Sequence, residues 1–400
     1  MRMPVLILCL SVFVVGTAPG QDSLNVRLVG ACGASSCAND VTVSGSYAFV
    51  ACQDTGRLDV VSIVGPAQPV KIGSIGFQDE ACGSAVRGDF VYVAADHAGL
   101  RVISISDPAN PVEVGYCTTP GRAMGVTLSR EYAFVADEGS GLRVISVADP
   151  AHPVEVGHCD SMGLANGVTV VEDYAYVASL GGLFVVAVSD PTLPVIVGSC
   201  QLSGLGVAVS GDYAYVAGGG LIVVRIFDPF HPVEVGRVGL SCHGISLEGS
   251  RAFVAATSQG LRVISVADPA HPVELGYYDI PGPQGASGVT AVGDYAYVAY
   301  DWKGLQVFQY YGAGVEEETM SDEREAMSPG PSVVRGVLFV AGARDEGQGT
   351  RDELLDISGR KVLNLKSGAN DVSHLAPGVY FVRSPASGER SVVAKVLVTR

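Results

Sequence analysis

The sequence predicts an all-β protein: a seven-bladed β-propeller of four-stranded blades, closed by an N-terminal strand and followed by a small C-terminal β-sandwich. Three observations carry this reading. The fifteen residues GLRVISVADPAHPVE stand at 141–155 and again, letter for letter, at 260–274. The motif Tyr-Ala-(Phe/Tyr)-Val-Ala begins at Tyr47, Tyr132, Tyr174, Tyr213 and Tyr295, with weaker copies at Phe90 and Arg251, at spacings of 38 to 44 residues. The 51 glycines and 21 prolines supply the turns that many short strands need. A repeat of roughly 40 residues that holds four short apolar runs is the pattern of a propeller blade.

From the N-terminus, residues 1–20 read as an export signal, with one Arg, the apolar run Val5–Val15 and small residues at Gly16, Ala18 and Gly20. That run is too short to span a bilayer, and no later stretch of the mature chain is long and apolar enough to do so. Removal of the signal takes Cys9 with it and leaves eight cysteines, an even number in a compartment where disulfides persist. The propeller is expected over residues 21–311. Its last unit ends after Leu305–Tyr310 without the Asp-Pro phrase of the others, so SLNVRLVG (Ser23–Gly30) is expected to supply the missing strand and remove an open edge.

In five of the units, Asp-Pro at 107–108, 149–150, 190–191, 228–229 and 268–269 marks a turn, because Asp bonds back to the backbone and Pro presets φ. The second Pro of the phrase begins the fourth strand, which places that strand at the outer rim. The recurring phrase is therefore evidence of architecture, not chemistry. The units resemble the LVIVD-repeat family, whose blades carry the same Tyr-Ala, Gly-Leu and Asp-Pro elements in order, over about Leu24–Tyr311. The resemblance implies a propeller of surface or secreted proteins and offers no catalytic residues to carry over.

A net charge of −16 and a pI near 4.8 exclude nucleic acid as a partner, since phosphate binding needs clustered Lys and Arg. Loop lengths locate the working face. The steps from strand three to strand four are all seven residues, whereas those from strand four to the next blade and from strand two to strand three vary. Antiparallel pairing places all the variable connections on one face, where a rigid scaffold carries its binding loops. The candidate ligand-facing residues there are Asp54, Asp96, His97, Asp137, Glu138, Asp301 and Trp302, the only Trp of the chain, with Asp79 and Glu80 beside them. Acids and one aromatic suit a carbohydrate, peptide or cation, and leave open a structural calcium ion; no cofactor is expected.

The inner strands, read as VTV, SAV, VTL, VTV, VAV, ISL and VTA at 41–43, 84–86, 126–128, 168–170, 207–209, 245–247 and 289–291, offer no ionisable group to the channel. A buried acid–base pair is not expected there. His152, His231 and His271 hold equivalent turn positions, too far apart by symmetry to share a metal. Cys32, Cys117, Cys159 and Cys200 also recur one per blade, as small apolar side chains would. Cys37, Cys82 and Cys242 stand nearer the axis, and the disulfide pairing stays open.

After Tyr311 an acidic, Pro/Gly-containing run over 312–331 reads as a linker. Residues 332–400 alternate apolar and polar residues around Ser-Gly and Pro-Gly turns, a compact β-sandwich. DISGRKV (356–362) and PGVYFVR (377–383) resemble the type A C-terminal sorting domain of the type IX secretion system. That resemblance implies the secretion machinery as a partner and passage across the outer membrane. The expected protein is an exported, non-catalytic binding scaffold at the cell surface or in the medium, with an unidentified extracellular protein or carbohydrate as ligand. The alternatives are a polymer-cleaving hydrolase or lyase that uses loop acids, and a surface-layer component.

Overall fold

The computed structural model describes residues 23–33, 37–280 and 285–312, together with Arg360 and short strands between 332 and 398. The expected signal segment 1–20 and nearly all of the expected linker lie outside the described residues. Two compact units divide at Glu316/Glu317.

The first unit is the propeller. Its seven blades begin at the inner strands Ala38–Ser44, Gly83–Arg87, Gly125–Ser129, Ala165–Val171, Gly204–Ser210, Gly244–Glu248 and Ala286–Val292. Blades one to six continue through three further antiparallel strands in meander order, and blade seven through two. Alternating residues of adjacent blades interlock into seven apolar clusters, one between each pair of blades. The half-buried Cys32, Cys117, Cys159 and Cys200 pack into four of these clusters, as their repetition implies.

The glycine of each Val-Gly explains why the phrase recurs. A Cβ on Gly73, Gly115, Gly157, Gly198 or Gly236 would lie 2.2–2.3 Å from the carbonyl oxygen of Pro108, Pro150, Pro191, Pro229 or Pro269, in the turn of the following blade. The Asp-Pro turn and the glycine are thus the two halves of one lock between neighbours. The turn itself is held twice. Asp149 Oδ1 accepts from the Ala151 amide at 3.0 Å and its backbone carbonyl from His152 N at 3.1 Å, and Asp107, Asp190, Asp228 and Asp268 do the same. His152, His231 and His271 each place Nδ1 2.8–2.9 Å from the Asp of their own turn.

The ring closes as expected, with one refinement. Val26–Cys32 pairs with Gly304–Tyr310 as the seventh blade's outer strand, and Gly30 faces Val307 as Gly115 faces Val102 and Gly157 faces Val144. Ser23–Leu24 instead adds a fifth strand to blade six, against Tyr277 and Tyr278. Asn25, at φ +56, turns the chain between the two, and its Nδ2 donates to Leu275 O at 2.7 Å. The reason is visible at Gly276, whose following blade has no Asp-Pro turn. Leu24 O and the Asn25 side chain occupy that place, so the N-terminal segment completes the seventh lock as well as the seventh blade.

In the second unit, Gly378–Ser384 pairs antiparallel with Val392–Val398 and with Glu353–Leu355, Ser332–Val334 runs parallel to Val392–Val398, and Lys361–Asn364 pairs with Glu353–Leu355. A separate pair joins Val337–Val340 to Gly368–Asp371.

Candidate functional site

The two faces of the disc are built differently. On the turn face, a residue at the end of every third strand donates its amide to the hairpin between strands one and two, from Ile63 N to Ser46 O through Tyr310 N to Asp294 O, at 2.7–2.9 Å in all seven blades. The opposite face, around the mouth of the channel, has no such uniformity.

Several candidate acids there act through their backbone. Asp96, Glu138, Thr257 and Asp301 occupy equivalent turn positions at φ +31 to +42 and form isolated bridges to Ala123, Ala165, Ala286 and Ala38 of the following blade. Asp and Asn tolerate this left-handed conformation better than other non-glycine residues, so Asp at two of the four positions has a conformational reason. Asp137 stands one residue earlier in its turn and points inward, fully buried. It accepts from Thr119 Oγ1 at 2.6 Å and from the Gly121 amide at 2.8 Å, with Arg143 Nε at 3.7 Å.

Most other members of the set remain on the surface, while Asp96 is buried like Asp137. Arg122 gathers three carboxylates: Nε donates to Asp96, while Glu80 and Glu138 each lie 3.6 Å from a terminal nitrogen. Glu80 also accepts from Gln53 Nε2 at 2.8 Å. The Cys37 thiol donates to Asp301 Oδ1. Asp54 and His97 are exposed, and Trp302 is 58% exposed. The structure therefore joins Glu80, Asp96 and Glu138 through one arginine, an organising residue that the sequence reading did not single out, and leaves Trp302 separate.

The channel itself corrects one expectation. Its inner strands start before the triplets read from the sequence, and the added residues bring ionisable groups to a cavity of about 480 Å³ lined by all seven inner strands. One ring of positions pairs with the last Ala of each Tyr-Ala motif. It holds Gly83, Gly125, Gly167, Gly206, Gly244 and Gly288, but Asp40 in blade one. Beside it, Ser84 stands where the other blades have Val or Ile. Its amide and hydroxyl donate to Asp40 Oδ2 at 2.9 and 3.2 Å, and its Oγ lies 3.0 Å from Thr42 Oγ1. Burial raises the Asp40 pKa above 3.8, against the lowering effect of the Ser84 and Val41 hydrogen bonds. One residue nearer the mouth, the ring reads Asn39, Cys82, Met124, Asn166, Leu205, His243 and Ser287. Burial lowers the His243 pKa from 6.5, which favours neutral imidazole.

The cysteines near the axis are not poised as nucleophiles. Burial, with Asp301 beside Cys37 and with Asp96 and Glu80 beside Cys82, pushes both thiols up to about 12, and burial takes Cys242 to about 11. A reactive or metal-binding cysteine needs the opposite shift. All eight cysteines from Cys32 to Cys242 are free thiols in the structure.

LVIVD repeats match residues 36–76, 79–119, 120–161, 162–201, 205–239, 241–280 and 284–308, one match per blade and more than half of the chain in all. The chain belongs to the LVIVD repeat family. No curated protein matches the sequence of this LVIVD repeat chain. Among solved structures, it is similar to the β-propeller domain of Cps50 (Swd1) from Myceliophteria thermophila, with a TM-score of 0.58 and 9% identity over 71% of this chain and 99% of that one. It is also similar to a functionally unknown protein from Desulfotomaculum acetoxidans DSM 771, with a TM-score of 0.53 and 15% identity over 62% and 89%. The computationally designed Ika8 protein gives a TM-score of 0.52 and 9% identity over 71% and 99%. At these identities the likeness is one of fold.

Proposed function

We propose that this LVIVD repeat protein is an exported binding scaffold, non-catalytic, whose ligand contacts the channel face. One observation carries the reading: the departures from sevenfold regularity gather around the channel mouth, while the turn face repeats one hydrogen bond seven times. A rigid ring with irregular loops and a cavity on one side is the usual geometry of a binding platform. Several acids that an enzyme would need free are engaged in holding the face together, Asp137 by Thr119 and Gly121 and Asp96 by Arg122. An extracellular protein or carbohydrate would meet the exposed Trp302, Asp54 and His97 first.

Export rests on the apolar N-terminal run, and delivery on the DISGRKV and PGVYFVR motifs, which support a β-sandwich sorting domain over 332–400 recognised by the secretion machinery. Intact-mass analysis of the protein from medium and cell surface tests delivery. A mature chain that starts near Gln21 and lacks the segment after about Ser332 is the expected product; retention of both segments on a chain inside the cell would refute it. Glycan and peptide arrays probed with the full chain and with its Trp302→Ala variant test the binding face. The expected result is saturable binding to a defined class, weakened by the variant; product formation from an array polymer would refute the non-catalytic reading.

A further inference from the structure

The channel mouth is sevenfold in backbone but not in chemistry, and its exceptions fall together. Six of seven equivalent positions are glycine, and the seventh carries the Asp40 carboxylate into the cavity. The exceptional Ser84 lies against it and occupies Oδ2. Among the described residues, no cation forms an ion pair with Asp40. Asn39 and Asn166 line the same cavity. The amide nitrogen of Asn39 donates to Cys82 O and that of Asn166 to Leu164 O, each at 2.7 Å. Each bond uses one of the two amide N–H donors, and neither Oδ1 has a protein donor among the described residues.

We propose that the channel mouth receives a primary ammonium group, with Asp40 as its counter-charge and the Asn39 carbonyl oxygen as a further acceptor. An ammonium has three donors and no acceptor, which complements the Asp40 carboxylate and the neighbouring Asn39 Oδ1. Charge-assisted bonds of this kind are the strong ones, more so in a partly desolvated cavity. Neutral His243 adds no repulsion. The surrounding face carries Glu80, Asp96, Glu138 and Asp301, of which three share the single Arg122, and the resulting negative potential steers a cation inward. A metal ion is a poorer match, because no group of three or more His, Cys, Asp or Glu side chains suited to one occurs among the described residues.

The inference rests on the proposed binding face and narrows it, and its test is separable. The probes are Nα-acetyl-lysine N-methylamide and its Nε-acetylated, uncharged counterpart, titrated into the full chain at physiological ionic strength and followed by NMR. Asp40→Gly restores the residue of the other six blades and is expected to fold with a melting temperature no lower than that of the unsubstituted chain, with Asp40→Asn as the isosteric companion. The expected result is saturable binding of the charged probe alone, weakened roughly tenfold or more in both variants. Equal binding of the two probes, binding that survives both variants, absence of saturable binding, or displacement of the charged probe by Ca²⁺ would each overturn the ammonium assignment. None of these outcomes bears on array ligands that depend on Trp302, so the binding-face reading would fail or stand on that experiment.

Discussion

The turn face and the channel face use the same strands to opposite ends. On the turn face, Asp149, Asp228 and their equivalents repeat one local solution, a carboxylate closing its own turn against the glycine of the preceding blade. On the channel face, Asp40, Asp96, Asp137 and Asp301 are four aspartates in four different environments. Repetition of a residue marks a part of the ring's construction. A residue that occurs once at a repeated position needs an individual explanation, and Asp40 is the sharpest instance.

The largest expected effect would come from a channel-face residue that behaves as construction. Asp137→Ala should cost about 3 kcal/mol in chemical denaturation, because it leaves two donors, the Thr119 hydroxyl and the Gly121 amide, without their buried acceptor. A loss below about 1 kcal/mol would show that the turn tolerates an unfilled site. Next, Gly157→Ala should destabilise by about 1–3 kcal/mol through its clash with Pro191 O, and the same change at Gly239, which is open and not at positive φ, should not.

Acid titration separates the two kinds of aspartate by sign. The pKa of Asp149 is lowered from 3.8 by the His152 side chain and the Ala151 amide. Its stabilisation is therefore present above pH 3.8 and is lost as pH falls through the depressed value. Asp149→Asn should flatten the acid limb of a stability–pH curve. The pKa of Asp40 is raised, so its ionisation works against folding as pH rises through the raised value, and both states are protonated well below 3.8. Asp40→Gly should leave stability unchanged in strong acid and raise it at neutral pH, where a proton or a bound cation otherwise meets the charge. The smallest expected effect on stability is that of Trp302→Ala, within about 0.5 kcal/mol, while ligand binding falls.

Much of the ring was legible because its parts are local and repeated. The Tyr-Ala motif, the Asp-Pro turn and the Val-Gly strand lie within a few residues of one another, and even the closing strand was found through its own Val-Gly, now at Gly30 opposite Val307. The partners of the lock are in neighbouring blades, so the sequence could show that the phrase recurs without showing that its glycine meets Pro O of the following blade. The same is true of Ser23–Leu24, which replaces a turn that blade seven lacks. At the site, alternation within the triplets stopped at Val41 and missed Asp40 one residue earlier. Similar turn sequences also hid a one-residue offset that buries Asp137 while Asp96 reaches Arg122. One inter-residue exchange was readable in retrospect. LDV with VKI in blade one mirrors LRV with VEV elsewhere, and the structure pairs Asp59 with Lys71 at 3.4 Å where it pairs Arg101 with Glu113 at 3.2 Å.

The central claim, that one face builds the ring and the other binds, is tested most directly by comparing two triple variants of the full chain on the same glycan and peptide arrays. One replaces Asp40, Asp54 and Trp302 on the channel face by Gly, Ala and Ala, and the other replaces His152, His231 and His271 on the turn face by Ala. The account expects binding to be lost in the first and retained in the second, with both folded. Binding that survives the channel-face variant and disappears with the histidines would contradict it.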